Sequence, residues 1–182
     1  MLAPQRLPRR GSAILVCNHT SGLDPLLIQS VCSRLIVWMM AKEYYDLKWL
    51  TPIYRTVEAI PVDRGRPDVA ATRAALRALS MGRILGVFPE GRIETSRELL
   101  PFNTGVAVLA LRSRAPVFPA YLDGTQRGKE MGPAFAIPNR ATLRFGPEVV
   151  LERAAGRRQL ATATAAIETA VRSLIPPAKF AG

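Results

Sequence analysis

A chain of 182 residues with 48% apolar and 21% charged residues is long enough for one buried core and too apolar for a disordered segment. Its 25 Lys and Arg against 14 Asp and Glu leave a formal charge of +11, which favours anionic partners without separating phosphorylated small molecules, acidic membranes and nucleic acid. Two cysteines, Cys17 and Cys32, are too few for a disulfide framework and lack metal-ligand spacing, and the longest apolar run, Leu35 to Ala41, is far short of the ~20 residues that cross a bilayer.

The first strand is expected over Ala13 to Cys17, followed by Asn18, His19 and then Asp24-Pro25, which reads as an N-cap with proline at the first helical position of LLIQSVCSR. The run LIVWMMA has strand composition, Tyr44 to Tyr54 reads as a short aromatic helix, and Val57 to Val62 as a further strand. Asp68 caps the alanine-rich helix VAATRAALRALS, which leads into a strand at Ile84 to Phe88. A helix over Gly105 to Arg114, a strand from Pro116 to Leu122 and a hairpin-like segment ending in ATLRFGPEV follow. The last helix places Leu160, Ala163, Ile167, Ala170 and Leu174 on one face and stops at Pro176-Pro177. Strands alternating with helices predict one α/β domain over residues 1–182, a three-layer sandwich whose central sheet is mixed but mostly parallel, with helices on both faces. In such sheets functional residues gather where strands run out into loops.

The segment Asn18-His19-Thr20-Ser21-Gly22-Leu23-Asp24 puts a histidine at a strand end and an aspartate five residues later at a helix mouth. A turn that folds the carboxylate back to one ring nitrogen would fix the tautomer and leave the other nitrogen free to take a proton from a hydroxyl. There is no Gly-x-Ser-x-Gly nucleophile elbow, so this is a base pair without a protein nucleophile. Taken alone, the two residues read better as a loop histidine with a satisfied ring and a plain helix cap, since either is common in such places.

Three more segments follow in order: Ala59-Ile60-Pro61-Val62-Asp63-Arg64, Val87-Phe88-Pro89-Glu90-Gly91-Arg92 and Ala115-Pro116-Val117-Phe118-Pro119-Ala120. From about Arg9 to Thr125 the ordered set resembles the four blocks of the glycerolipid acyltransferases, the glycerol-phosphate and lysophosphatidic acid acyltransferase family. The resemblance implies acyl transfer from a thioester to a lysophospholipid hydroxyl, most simply 1-acyl-glycerol-3-phosphate giving phosphatidic acid, with His19 and Asp24 as the general-base pair. It implies that Arg64, Glu90, Gly91 and Arg92 bind the acceptor. The planar guanidinium of Arg64 suits a phosphate monoester. Glu90 would accept a hydrogen bond from the acceptor or hold an arginine, and Gly91 would allow a positive φ or close approach. Pro119 would lie near the acyl chain or simply in a core strand. Backbone N–H groups from Asn18 to Ser21 are candidates for the oxyanion donors.

The third block departs from the family's common form: Arg92 and Ile93 stand where threonine or serine and then arginine are usual, Ser96-Arg97 arrive later, and Asn103 replaces a basic residue. These departures loosen the headgroup more than the reaction, leaving another lysolipid, such as a lyso-ornithine lipid, as the rival acceptor. The donor implied is acyl-CoA or acyl carrier protein, with no cofactor and no metal. The chain has 17 residues before Asn18, too few for the family's N-terminal membrane helices, so peripheral attachment to the anionic cytoplasmic face through surface such as Lys42 to Trp49 is expected. A non-catalytic module for anionic membranes is the alternative of another class. Nucleic-acid binding is disfavoured because the arginines are dispersed without stacking aromatics.

Overall fold

The structure is a computed structural model that describes residues 7–46, 51–65, 67–94, 98–125, 140–152 and 157–177. Ala13–Cys17 forms β1 and is buried at every position, as expected of an interior strand covered on both faces. Strands β2 (Ile36–Ala41), β3 (Ile60–Val62), β4 (Ile84–Val87), β5 (Val117–Asp123) and β6 (Thr142–Phe145) join it in a six-stranded sheet of order β3-β2-β4-β1-β5-β6. Neighbouring strands run parallel except for β6, which pairs antiparallel with β5 at the edge.

The pleat of β1 divides the core. Ile14 and Val16 face a layer made by α4 (Val69–Ser80), α5 (Gly105–Ser113) and α6 (Arg157–Arg172), whose contributions include Ala75, Leu79, Val106, Leu109, Ile167 and Val171. Leu15 and Cys17 face the other way, toward Ile28 of α1 (Asp24–Ser30) and the ring residues Trp38, Phe118 and Phe145. Burial of a side chain such as Ile28 stabilises the fold by about 1.5–3 kcal/mol, so the buried apolar residue of α1 helps to pin the helix to the sheet while its first turn lies at the strand ends. Helices on both faces of a mostly parallel sheet are the three-layer α/β architecture that the alternation of elements predicted.

Some boundaries differ from the sequence reading. Glu58 takes a left-handed φ of 56°, which turns the chain and delays β3 to Ile60 instead of Val57. The expected aromatic helix is two short ones, α2 (Lys42–Tyr45) and α3 (Thr51–Thr56), with Trp49 outside the described residues. Tyr45 and Tyr54 stack between them at 6.0 Å. In α6 the buried positions are Ala163, Thr164, Ile167 and Val171, so the apolar face passes through Val171 and not Ala170. Among the described residues no helix is long and apolar enough to cross a membrane.

Candidate active site

The carboxyl ends of β1 and β4 lie side by side, and the loops leaving them carry His19 and Glu90. Asp24, read from the sequence as the cap of α1, instead sits within its first turn; Leu23 occupies the cap and makes no side-chain capping bond. The reason is a competing set of donors. Asp24 Oδ2 accepts from Thr20 N–H at 2.7 Å and Ser21 N–H at 2.8 Å, and lies 3.0 Å from His19 Nδ1. The aspartate is fully buried, whereas His19 keeps 17% of its side chain exposed. A carboxylate there makes Nδ1 the protonated nitrogen and leaves Nε2 as the free base.

Glu90 does work that the sequence did not suggest. Its Oε1 accepts from the His19 N–H at 2.8 Å and its Oε2 from the Leu100 N–H at 3.0 Å, so the carboxylate ties two loops together through their backbones. Burial pushes its carboxyl above the usual range, against the lowering effect of the Leu100 and His19 N–H bonds. The arginine is held elsewhere: Arg64 Nη1 donates to the Gly91 carbonyl at 3.1 Å, and Arg64 Nη2 lies 3.6 Å from Glu43 Oε1. Because β2 stands between β3 and β4, Arg64 reaches from the end of β3 across the end of β2, where Glu43 lies in the first turn of α2. Gly91 has the positive φ expected of it, 72°, and an added Cβ would meet Asn103 Nδ2 at 3.0 Å. Asn103, which stands where the resemblance led to the expectation of a basic residue, donates from both Nδ2 and its backbone N–H to the Pro89 carbonyl and braces the turn that carries Glu90.

These bonds occupy three of the four expected oxyanion donors. The N–H groups of His19, Thr20 and Ser21 already donate to Glu90 and Asp24. Arg92 is exposed, and its guanidinium has no partner among the described residues; Ser96-Arg97 lie outside them. Pro119 pairs with Val16 in the sheet and shares a strand face with Val117, on the three-helix side. Its carbonyl accepts from Gly146 N–H at 2.8 Å, and its ring leaves no room for a side chain there. That is the core-strand place, on the face away from His19.

Sequence reading missed three supports of this site. Asn18 exchanges both amide bonds with Leu122, at 2.7 and 2.9 Å, and so locks the end of β1 to β5. Thr20 and the buried Thr125 share a 2.7 Å hydroxyl contact that ties the histidine loop to the loop after β5. Phe88 stacks on the imidazole at 4.0 Å and 13°. The one available sequence signal was their adjacency to motif residues. Cys17 is a fully buried thiol whose pKa is raised well above its ordinary value by burial, with Asp24 and Glu90 adding to the rise.

The α/β sheet thus carries a histidine in contact with a fully buried aspartate at a strand end, an arrangement of the kind that general acid–base chemistry uses. Residues 3–123 match the family model described as Acyltransferase, and the chain belongs to that family. It is 29% identical over 128 residues to a 1-acyl-sn-glycerol-3-phosphate acyltransferase of Bacillus subtilis, covering 70% of this chain and 63% of the relative. It is 32% identical over 116 residues to the protein of that name from Cocos nucifera, covering 62% of this chain and 38% of the relative. The chain thus spans less than two thirds of the length of these relatives. The crystal structure of the 1-acyl-sn-glycerophosphate acyltransferase PlsC from Thermotoga maritima shares the fold, with a TM-score of 0.72 at 20% identity over 94% of this chain and 68% of that one.

Proposed function

We propose that this protein transfers a fatty acyl group from acyl-CoA or acyl carrier protein to the free hydroxyl of a lysophospholipid, taking 1-acyl-glycerol-3-phosphate to phosphatidic acid. The observation that carries the reading is the 3.0 Å contact of His19 Nδ1 with the buried Asp24 carboxylate, which leaves Nε2 as the available base. The names of the relatives support the acceptor. His19 Nε2 takes the hydroxyl proton as the acceptor oxygen attacks the thioester carbonyl, and Asp24 stabilises the imidazolium. The tetrahedral intermediate collapses with loss of the thiolate, which recovers the proton from His19. The thioester is already activated, so the step needs neither a protein nucleophile nor a cofactor. Arg64 holds the phosphate of the acceptor by a two-pronged, charge-assisted contact, assisted by the exposed Arg92, and so turns an encounter into a positioned reaction. The +11 charge suits both an anionic donor and peripheral attachment to an acidic membrane at its cytoplasmic face.

One observation favours a second acceptor. Glu43 beside Arg64 is a carboxylate within reach of any cationic headgroup group, so an amine-bearing lysolipid such as lyso-ornithine lipid is the competing substrate. Purified protein offered mixed lysolipids with acyl-CoA, with products read by mass spectrometry, decides between them. Phosphatidic acid as the main product supports the first reading; acylation of the amino-lipid alone overturns it. Turnover undiminished in a folded His19→Ala variant overturns the base assignment, and a wild-type protein that binds anionic vesicles but acylates nothing is a binding module.

A further inference from the structure

His19 is held at one edge by Asp24, and a single in-plane contact leaves an imidazole free to tilt. The tilt is limited from the face by a column of rings that starts inside the sheet. Trp38 of β2 has Gly86 of β4 as its register partner. A Cβ at Gly86 would fall 2.4 Å from Trp38 Cε3 and 2.6 Å from Cζ3, so the indole lies directly on bare glycine backbone. Two residues further along β4's course, Phe88 stacks on that indole at 4.7 Å and 9°, and the imidazole stacks on Phe88 at 4.0 Å and 13°. The three rings are nearly parallel, and their base is 7% exposed.

We propose that Trp38 is a positioning residue for His19: resting on Gly86 and acting through Phe88, it sets the plane of the imidazole so that Nε2 faces the acceptor hydroxyl. The proposal rests on His19 being the base described above. A ring off by a small rotation misdirects the Nε2 lone pair without weakening substrate binding, so the effect falls on turnover. Position 38 requires a flat ring and not its hydrogen bond, since the buried Trp38 Nε1 has no partner among the described residues. Phenylalanine therefore substitutes there, and an aliphatic side chain does not.

The test uses the full chain carrying Trp38→Leu, Trp38→Phe or Phe88→Leu, assayed with 1-acyl-glycerol-3-phosphate and acyl-CoA. Trp38→Leu should lower kcat about tenfold with both KM values within about twofold, and Trp38→Phe should recover most of the loss. His19 is the one histidine in the chain, so its ring Cε1–H gives a single NMR signal. Ring current from the stacked Phe88 displaces that signal, and it should move toward the free-imidazole position in Trp38→Leu and further in Phe88→Leu. If Trp38→Leu does not fold, Phe88→Leu carries the same two readouts. A folded Trp38→Leu with unchanged kcat, or an imidazole signal unmoved by either leucine variant, overturns the proposal, as does a Trp38→Phe no better than Trp38→Leu. If the wild-type protein transfers no acyl group while the NMR signal still responds to Trp38, it is the functional reading that fails and not the column.

Discussion

The two halves of the site are held in different ways. At the ends of β1 and β4, Asp24 and Glu90 are buried, and between them they accept four backbone N–H bonds and one contact from His19. At the ends of β2 and β3, Arg64 is 39% exposed, Glu43 is 65% exposed, and their pairing is a loose 3.6 Å. Buried, hydrogen-bonded carboxylates fix the loops around them, whereas exposed pairs exchange with water and contribute only about 0–1 kcal/mol. On the function proposed above, the base is therefore set before any substrate arrives, and the headgroup region is free to rearrange around its ligand. The proposed chemistry then falls on the inflexible part of this molecule and the proposed choice of acceptor on the adjustable part.

The widest test of that contrast is at the rigid half. His19→Ala should lower acyl transfer by ~10²–10⁴-fold, the range of a lost general base, and lower stability by about 1–3 kcal/mol, because the buried Asp24 carboxylate loses its ring partner. Asp24→Asn preserves the shape, and its carbonyl oxygen can keep the Oδ2 place against Thr20 and Ser21 N–H, but the negative charge is lost and the amide nitrogen falls in the partnerless Oδ1 place. It should lower kcat by about 10²-fold and stability by about 1–3 kcal/mol, read from initial rates and denaturant midpoints. A variant with the kinetic loss but full stability would show that Asp24 orients His19 without organising the loop.

The same contrast explains what was legible in the sequence. The sheet was readable because β1, β2, β4 and β5 are short apolar runs with punctuated ends, and Asp68 gave the start of α4, where it accepts from Ala71 N–H. The step from His19 to Asp24 was readable because a turn of that length brings the two side chains together. The job of Glu90 was not, since whether a carboxylate meets a substrate or a backbone amide depends on where the Leu100 loop passes. Neither was the Trp38–Phe88–His19 stack, which needs the pairing of β2 with β4, a contact between residues 48 apart such as Trp38 and Gly86. Arg64 was recognisable as an anion-binding type, but its carboxylate neighbour comes from a different strand end.

At the adjustable half, Arg64→Ala should raise KM for a phosphate-bearing acceptor by roughly 10–100-fold, the worth of a charge-assisted hydrogen bond, and leave kcat nearly unchanged. An equal fall in kcat would mean that Arg64 also aligns the reacting hydroxyl, and the two halves would no longer be separable. Glu90→Gln is a smaller change at the seam between them and should lower kcat about tenfold, because one amide nitrogen then opposes a backbone N–H. It also has a pH signature. Burial raises the folded carboxyl above its ordinary value of 4.5, so the folded chain keeps this proton to higher pH than the unfolded one. The stability that Glu90 contributes is thus complete below the ordinary value and declines as pH rises through the folded one. Denaturant midpoints from about pH 4 to 7 should show wild type losing ground to the Gln variant as pH rises, and parallel curves would contradict the burial of the carboxylate.

The smallest expected effect is the most discriminating about substrate. Glu43→Gln removes a carboxylate that competes with phosphate for Arg64, and its exposure limits the change to less than about fivefold in KM. The sign carries the information. For an anionic acceptor KM should fall, since the arginine no longer shares its charge, and the gain should shrink as salt is raised. For an amine-bearing acceptor KM should rise, because the group that would pair with the amine is gone. A protein selective for 1-acyl-glycerol-3-phosphate therefore improves with Glu43→Gln, and one selective for an amino-lipid worsens. Equal KM values for wild type and variant on both acceptors would place Glu43 outside the acceptor site and leave headgroup choice to Arg64 and Arg92 alone.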